Sequence, residues 1–289
     1  MKTLFIVIQY LLPQHLLSRL VGKLAETKIF WLKNLLVERF IKQYGVDMSE
    51  AAEEDHRYYA TFNEFFTRKL KPGARDICPV QSEIACPADG AISQLGDIRD
   101  GRIFQAKGHE FSLFTLLGDN NEDALPFRNG KFATVYLSPK DYHRVHMPLD
   151  GKLITTHYIP GQLFSVNQNT AENVDNLFAR NERLVCLFET PAGPMAMILV
   201  GAMIVAGIET VWGGQIAPPP KTVQSQRFDK LLAVELKKGE EMGRFMLGST
   251  VILLFGENAV EWLPAFDAGT ETRMGETLGK VTLGRTSDA

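Results

Sequence analysis

Apolar positions in the first 44 residues recur at helical spacing. Ile29, Leu32, Leu36 and Phe40 fall on one stripe, and Trp31 and Leu35 widen it. Lys2, Arg19, Lys23, Lys28, Lys33, Arg39 and Lys42 are opposed only by Glu26 and Glu38. Basic side chains beside Trp and Phe predict amphipathic helices lying in the headgroup layer of an anionic membrane. A helical hairpin packed on the rest of the chain satisfies the same pattern. The longest apolar run near the start is Leu4 to Ile8, and Gln9, Pro13, Gln14 and His15 interrupt the pattern after it. Nothing there reaches the roughly 20 apolar residues of a membrane span, and no small-residue site of signal-peptide cleavage comes after it. After Gly45, the acidic "SEAAEED" (Ser49 to Asp55) reads as a linker or a short helix.

From Thr61 the texture changes. "TFNEFFTRKL" begins with Thr61 and carries Glu64 where a capping box needs it. Beyond "KPG" (Lys71 to Gly73) come short apolar segments divided by Gly, Pro and Asp. "ATVYLS", "LVCLFET", "MAMILVGAMIVAGIETVW" and "STVILLF" are rich in β-branched residues and predict strands. The run from Met195 to Val205 is too short for a membrane helix, and Gly201 and Gly207 divide it into two strands or bend one long one. "APPPKTVQSQ" (Ala217 to Gln226) predicts an exposed or mobile loop. The expected class is α+β: a mainly antiparallel β catalytic body over residues 61–289, with an N-terminal amphipathic helical membrane-attachment region over residues 1–60.

Composition narrows the function classes. The 289 residues are 45% hydrophobic and 22% charged, enough for a sizeable core. A net charge of -3 gives no global attraction to nucleic acid. The three cysteines, Cys78, Cys86 and Cys186, show no C-x-x-C spacing and suit buried thiols in a reducing compartment.

Three segments carry candidate chemistry. "LGST" places Ser249 between Gly248 and Thr250, at the mouth of an apolar run; alone it is a turn, and it lacks the G-x-S-x-G surroundings of a hydrolase elbow. "LSPKDYHRVHMP" holds His143 and His146. Ser138 before Pro139 could cap a helical turn that brings both rings to one face, whereas an extended chain sends them to opposite sides. No H-E-x-x-H motif or further ligand cluster accompanies them, so no metal is expected. "CPADG" offers Asp89, whose bland reading is a hairpin turn at Asp89-Gly90. An aspartate can also orient an imidazole and stabilise its cation. Together the segments supply Asp, His and Ser once each.

Those segments, with "KGEEMGRFMLGSTVILLF", "QAKGHEFSL", "PGQLFSVN" and "LFARNERLVCLF", resemble the bacterial phosphatidylserine decarboxylases, a pyruvoyl-dependent family, and the likeness runs nearly from end to end. The resemblance implies a proenzyme in which Ser249 attacks the carbonyl of Gly248, with His146 as general base and Asp89 orienting it. Elimination and hydrolysis then give a β chain of residues 1–248 and an α chain of residues 249–289 that begins with a pyruvoyl group made from Ser249. That ketone would condense with the amine of phosphatidylserine and act as electron sink while CO2 leaves, the task pyridoxal phosphate performs elsewhere, so no pyridoxal phosphate is expected. His143 is the candidate proton donor to the product. Lys107, Arg144 and Arg180 are candidates for the headgroup phosphate. The implied partners are phosphatidylserine, an anionic membrane surface and a further homo-oligomer of the two-chain unit. The absence of an Arg- and Ser-rich presequence points to a peripheral protein on the cytoplasmic side of a bacterial inner membrane. Two rivals remain: a Ser-His-Asp lipid hydrolase that never cuts itself, and a non-catalytic membrane adaptor.

Overall fold

A computed structural model of the chain describes residues 2–203, 207–216, 220–246 and 249–282. Helices α1 (Lys2–Leu11), α2 (Gln14–Ala25) and α3 (Phe30–Tyr44) open the chain, and a short helix α4 (Phe62–Phe66) comes next. The α4 cap forms as its sequence predicts, with Thr61 Oγ1 accepting from the Glu64 backbone N–H at 3.1 Å. The Glu64 carboxylate reaches back to the N–H of Ala60, one residue outside the usual box.

The helices meet the body in two places. Gln9 Oε1 accepts from Ser165 N (2.8 Å), Gln14 Oε1 accepts from Leu163 N (2.7 Å), and Tyr10 sits edge-on to Phe164. Farther along, Val37 of α3 is buried with Phe62, Phe65 and Phe66, and Leu36 and Phe40 pack against the same small core. Helices α3 and α4 therefore share one apolar cluster across residue 60. The polarity of α3 is inverted in its first turns only. Lys33 and Asn34 are buried, while Phe30 and Trp31 are 64% and 67% exposed. The expected place of Lys33 on a basic outer face is corrected: its Nζ donates to the carbonyls of His56 and Arg57, which orders the turn beneath the helix.

Eight strands frame the site: β1 (Gly90–Asp97), β2 (Lys131–Leu137), β3 (Arg144–His146), β4 (Gly151–Ile159), β5 (Arg183–Thr190), β6 (Gly193–Val200), β7 (Glu241–Phe245) and β8 (Ser249–Phe255). An antiparallel nine-stranded sheet runs from Gln224–Arg227 through β4, β5, β6, β8, β2 and β1 to Glu271–Thr272, with Glu235–Leu236 also on β4. A four-stranded sheet orders Gly214–Gln215, Ile208–Thr210, β7 and β3.

Strand β8 lies deep in the large sheet, hydrogen-bonded to β2 on one side and β6 on the other. Ile252 and Leu254 enter one core cluster, and Val251, Leu253 and Phe255 enter the other. Both faces are covered, which is why its sequence shows an unbroken apolar run rather than alternation. The run from Met195 resolves as expected, with β6 ending at Val200 and Ile208–Thr210 entering the other sheet.

Two alternatives that the sequence left open are decided. No helical turn forms after Ser138. The Asp141 carboxylate accepts from the Ser138 backbone N–H (2.6 Å), closing a turn, and β3 then pairs with β7. Asp89-Gly90 is not a hairpin tip either. Gly90 begins β1, and a Cβ there would stand 2.2 Å from the Tyr136 carbonyl oxygen, so only glycine admits this approach of two backbones.

Candidate functional site

The crossing from β7 to β8 moves the chain from the small sheet to the large one, and Ser249 is the first residue after it. Gly248, the other half of the expected scissile bond, lies outside the described residues. Ser249 pairs with Leu137 on β2 and is 0% exposed. Its Oγ has no hydrogen-bond partner among the described residues, and the same holds for Oγ1 of Thr250.

Because β3 pairs with β7, His143 reaches this crossing, whereas His146 pairs with Glu241 at the other end of β7. The Phe245 N–H donates to the His143 carbonyl (3.1 Å), tying the His143 backbone to the residue where β7 ends. The extended chain separates the rings, as the extended alternative requires. His143 lies on the Phe66 ring, with centroids 4.0 Å apart, and its Nδ1 is 2.8 Å from the Asp141 carbonyl oxygen. A carbonyl only accepts, so Nδ1 carries the hydrogen and Nε2 keeps its lone pair. That Nε2 is buried without a partner among the described residues. Burial pushes the His143 pKa down to about 3, so the ring is neutral at physiological pH.

His146 obeys the same logic with other partners. Its Nδ1 donates to the Gly239 carbonyl (2.8 Å), and its Nε2 accepts from the Tyr142 hydroxyl (3.1 Å). Burial lowers its pKa. The expected hydrogen bond between Asp89 and His146 is not made. Arg75 Nε donates to Asp89 Oδ1 (2.9 Å), Arg75 also binds Glu50, and the Met274 N–H donates to Asp89 (2.8 Å). The strongest donor within reach of Asp89 is a guanidinium, and a charge-assisted pair outcompetes a neutral imidazole. Asp89 acts on His146 through its field, which raises the imidazole pKa.

Arg144 is buried, donating from Nε to the Thr67 carbonyl (2.9 Å) and from Nη1 to Glu241 (2.6 Å). Lys107 is engaged by Glu172, and Arg180 lies over Tyr10 and Phe164, fastening the first helix to the body. A cleft of about 470 Å³ opens beside Met246, lined by Arg144 but by neither Lys107 nor Arg180. Tyr142, Phe66 and Arg75 are site residues that sequence reasoning passed over. Tyr142 stood inside the quoted histidine segment and Phe66 inside the quoted capping segment, both legible in the sequence; Arg75 carried no such signal. Cys78, Cys86 and Cys186 are buried free thiols, as expected, and burial pushes Cys86 up to about 12.

Fold and site together define an α+β body that buries a serine and a histidine near the place where the chain passes between two antiparallel sheets. The family model described as phosphatidylserine decarboxylase matches residues 62–280, and a second, described as PSD, matches residues 4–45. A phosphatidylserine decarboxylase proenzyme of Ectopseudomonas mendocina is 61% identical over 98% of this chain and 99% of its own length. Proteins of the same name from Pseudomonas fluorescens Pf-5 and Pseudomonas putida F1 are 58% and 59% identical. They are covered over 97% and 96% of their lengths, against 96% and 95% of this chain. The chain belongs to the phosphatidylserine decarboxylase family.

Proposed function

We propose that the chain is a precursor that cuts itself between Gly248 and Ser249 and then decarboxylates phosphatidylserine to phosphatidylethanolamine and CO2. The reading is carried by Ser249 Oγ and His143 Nε2, both buried without partners among the described residues around the crossing where the cut would fall. Leaving a buried polar atom unpaired costs roughly 1–3 kcal/mol. That cost is offset in the proposed reaction, where the serine oxygen attacks and the imidazole nitrogen takes a proton.

In the first step Ser249 Oγ adds to the Gly248 carbonyl carbon, its proton passing to an imidazole, and the C–N bond breaks to give an ester. β-Elimination then expels residues 1–248 as a carboxylate. Water replaces the nitrogen of the resulting dehydroalanine, releasing ammonia and leaving a pyruvoyl end. His146 serves as the base once its Nε2 exchanges the Tyr142 hydroxyl for the serine. The Asp89 field supports it as it becomes cationic.

The surroundings of Ser249 fit a pyruvoyl group: β8 is fixed from both sides, and Ser249 is fully buried. The group supplies a carbonyl that takes up the substrate amine and draws off the electrons released with CO2. His143 receives a proton on Nε2 when the substrate carboxylate arrives beside it, then returns that proton to the α-carbon. Apolar walls such as Phe66 favour loss of the carboxylate charge. An uncut lipid hydrolase would need an external substrate to reach a Ser249 that is 0% exposed, which disfavours that rival.

The working unit is the pair of chains 249–289 and 1–248, joined in a further homo-oligomer. It sits peripherally on the anionic cytoplasmic face of the inner membrane through its first 60 residues. Among the described residues no helix is long and apolar enough to cross a membrane. Release of CO2 from carboxyl-labelled phosphatidylserine tests the reading. The wild-type chain is expected to release it and Ser249→Ala to release none; activity in that variant would refute the mechanism.

A further inference from the structure

We propose that Arg68 is the anion subsite that holds the phosphodiester of the lipid headgroup, an assignment that rests on the decarboxylase reading above. Arg68 lies just past helix α4 and is 4% exposed, yet only one of its donors is engaged in a hydrogen bond: Nη2, to the Lys140 carbonyl at 3.1 Å. Its Nε and Nη1 find no partner among the described residues. Arg183 shows what a structural arginine of equal burial does, since its guanidinium donates to the carbonyls of Leu116, Asn181 and Thr115.

The position of Arg68 matters as much as its idle donors. It lines the cleft beside Met246, the last described residue before the crossing to Ser249. Two other arginines line that cleft and both are neutralised, Arg144 by Glu241 and Arg244 by Glu209. Carboxylates line it too, but Glu26 accepts from Asn63, Glu53 from the Asp55 N–H and Glu64 from the Ala60 N–H. Arg68 has no ion-pair partner of its own among the described residues; Asp89, Asp141 and Asp47 act on it only from a distance. Burial of this charge pulls its pKa down, a penalty that a bound anion relieves.

The headgroup carries two anions, and chemistry selects between them. An arginine on the serine carboxylate would stabilise the charge that must vanish as CO2 leaves, and so would slow the reaction. On the phosphodiester, which is unchanged by the reaction, the same contact is uniform binding and lowers KM. Arg68 also touches the loop that carries His143, through Lys140, and its charge helps keep that ring neutral. The phosphate would thus be held on one side of His143 and the reacting carbon left to the other groups. Glu26 lines the same cleft and lies between the exposed Leu24 and the exposed Ile29, Phe30 and Trp31, so the cleft adjoins the apolar surface through which a lipid would arrive.

The test uses the full chain and monomeric short-chain phosphatidylserine. Competition by glycerophosphoethanolamine, the product headgroup, is compared with competition by ethanolamine, which lacks the phosphate. In the wild type the first is expected to raise KM and the second, at equal concentration, to leave it unchanged. Arg68→Met is expected to be cut normally, to raise KM about 10- to 100-fold and to lose that competition, with Arg68→Lys regaining part of both. The assignment is overturned if Arg68→Met keeps a KM within about twofold of wild type and the same competition. It is equally overturned if both variants remain uncut, because self-cleavage needs no headgroup. A wild-type chain that releases no CO2 would instead defeat the decarboxylase reading, a separate and distinguishable result.

Discussion

Complete burial holds His143 neutral, with its pKa near 3 against about 6.5 in an unfolded chain. Between those values the unfolded chain binds a proton that the folded chain refuses, so folding stability rises with pH through that window and falls as pH drops from about 6.5 toward 3. His146, whose pKa is also lowered, adds to the same trend. His143→Gln in the Ser249→Ala background is expected to remove about one proton from the uptake on unfolding. Urea denaturation at pH 7 and pH 5 reads this as a flatter pH dependence; an unchanged slope would mean that His143 is not buried neutral. At the neighbouring acid, Asp89→Asn is expected to slow self-cleavage about tenfold or more, because His146 loses the field that supports its cation. A mass-resolved time course of the nascent chain reads that rate, and wild-type kinetics would remove Asp89 from the process.

Strand β8 ties the reacting residue to the fold. Ser249 inherits its position from a strand whose Leu253 is fully buried between β2 and β6. Leu253→Ala is expected to cost about 2–5 kcal/mol, measured by urea unfolding of the uncut Ser249→Ala protein. A loss under about 1 kcal/mol would mean that β8 is not the rigid mount inferred here. This element was legible in the sequence because a strand buried on both faces leaves an unbroken β-branched and apolar run. The segment around Ser138 was less so. Its cap-and-proline signal fits a helix, but the Asp141 side chain takes the Ser138 N–H, and pairing of β3 with β7 extends the chain from Arg144 to His146. Gly90 signalled a turn for a similar reason: sequence registers the missing Cβ but not the Tyr136 carbonyl that requires it. Likewise Asp89, His146 and Ser249 could be named as candidates, whereas the Arg75 guanidinium beside Asp89 is a long-range contact with no periodic trace.

Across the whole molecule, the first turns of helix α3 bear on the two N-terminal alternatives read from the sequence. Polar residues of the first helices make inward contacts, Gln9 and Gln14 with the body and Lys33 with the turn at His56 and Arg57, and aromatic residues face outward at Phe30 and Trp31. A helix packed on the body and an apolar surface offered to lipid are therefore compatible. Replacing both Phe30 and Trp31 with Ser is expected to weaken binding to vesicles of anionic phospholipid at least about tenfold, since each buried aromatic contributes on the order of 2 kcal/mol. Flotation or sedimentation assays read this directly, and unchanged binding would move the docking surface elsewhere. The most direct measurement of all is the intact mass of the purified, active protein. Two polypeptides are expected, residues 1–248 and residues 249–289, the smaller blocked at its start and reactive toward hydroxylamine. An active sample that remains one chain of 289 residues, with serine at position 249, would contradict it.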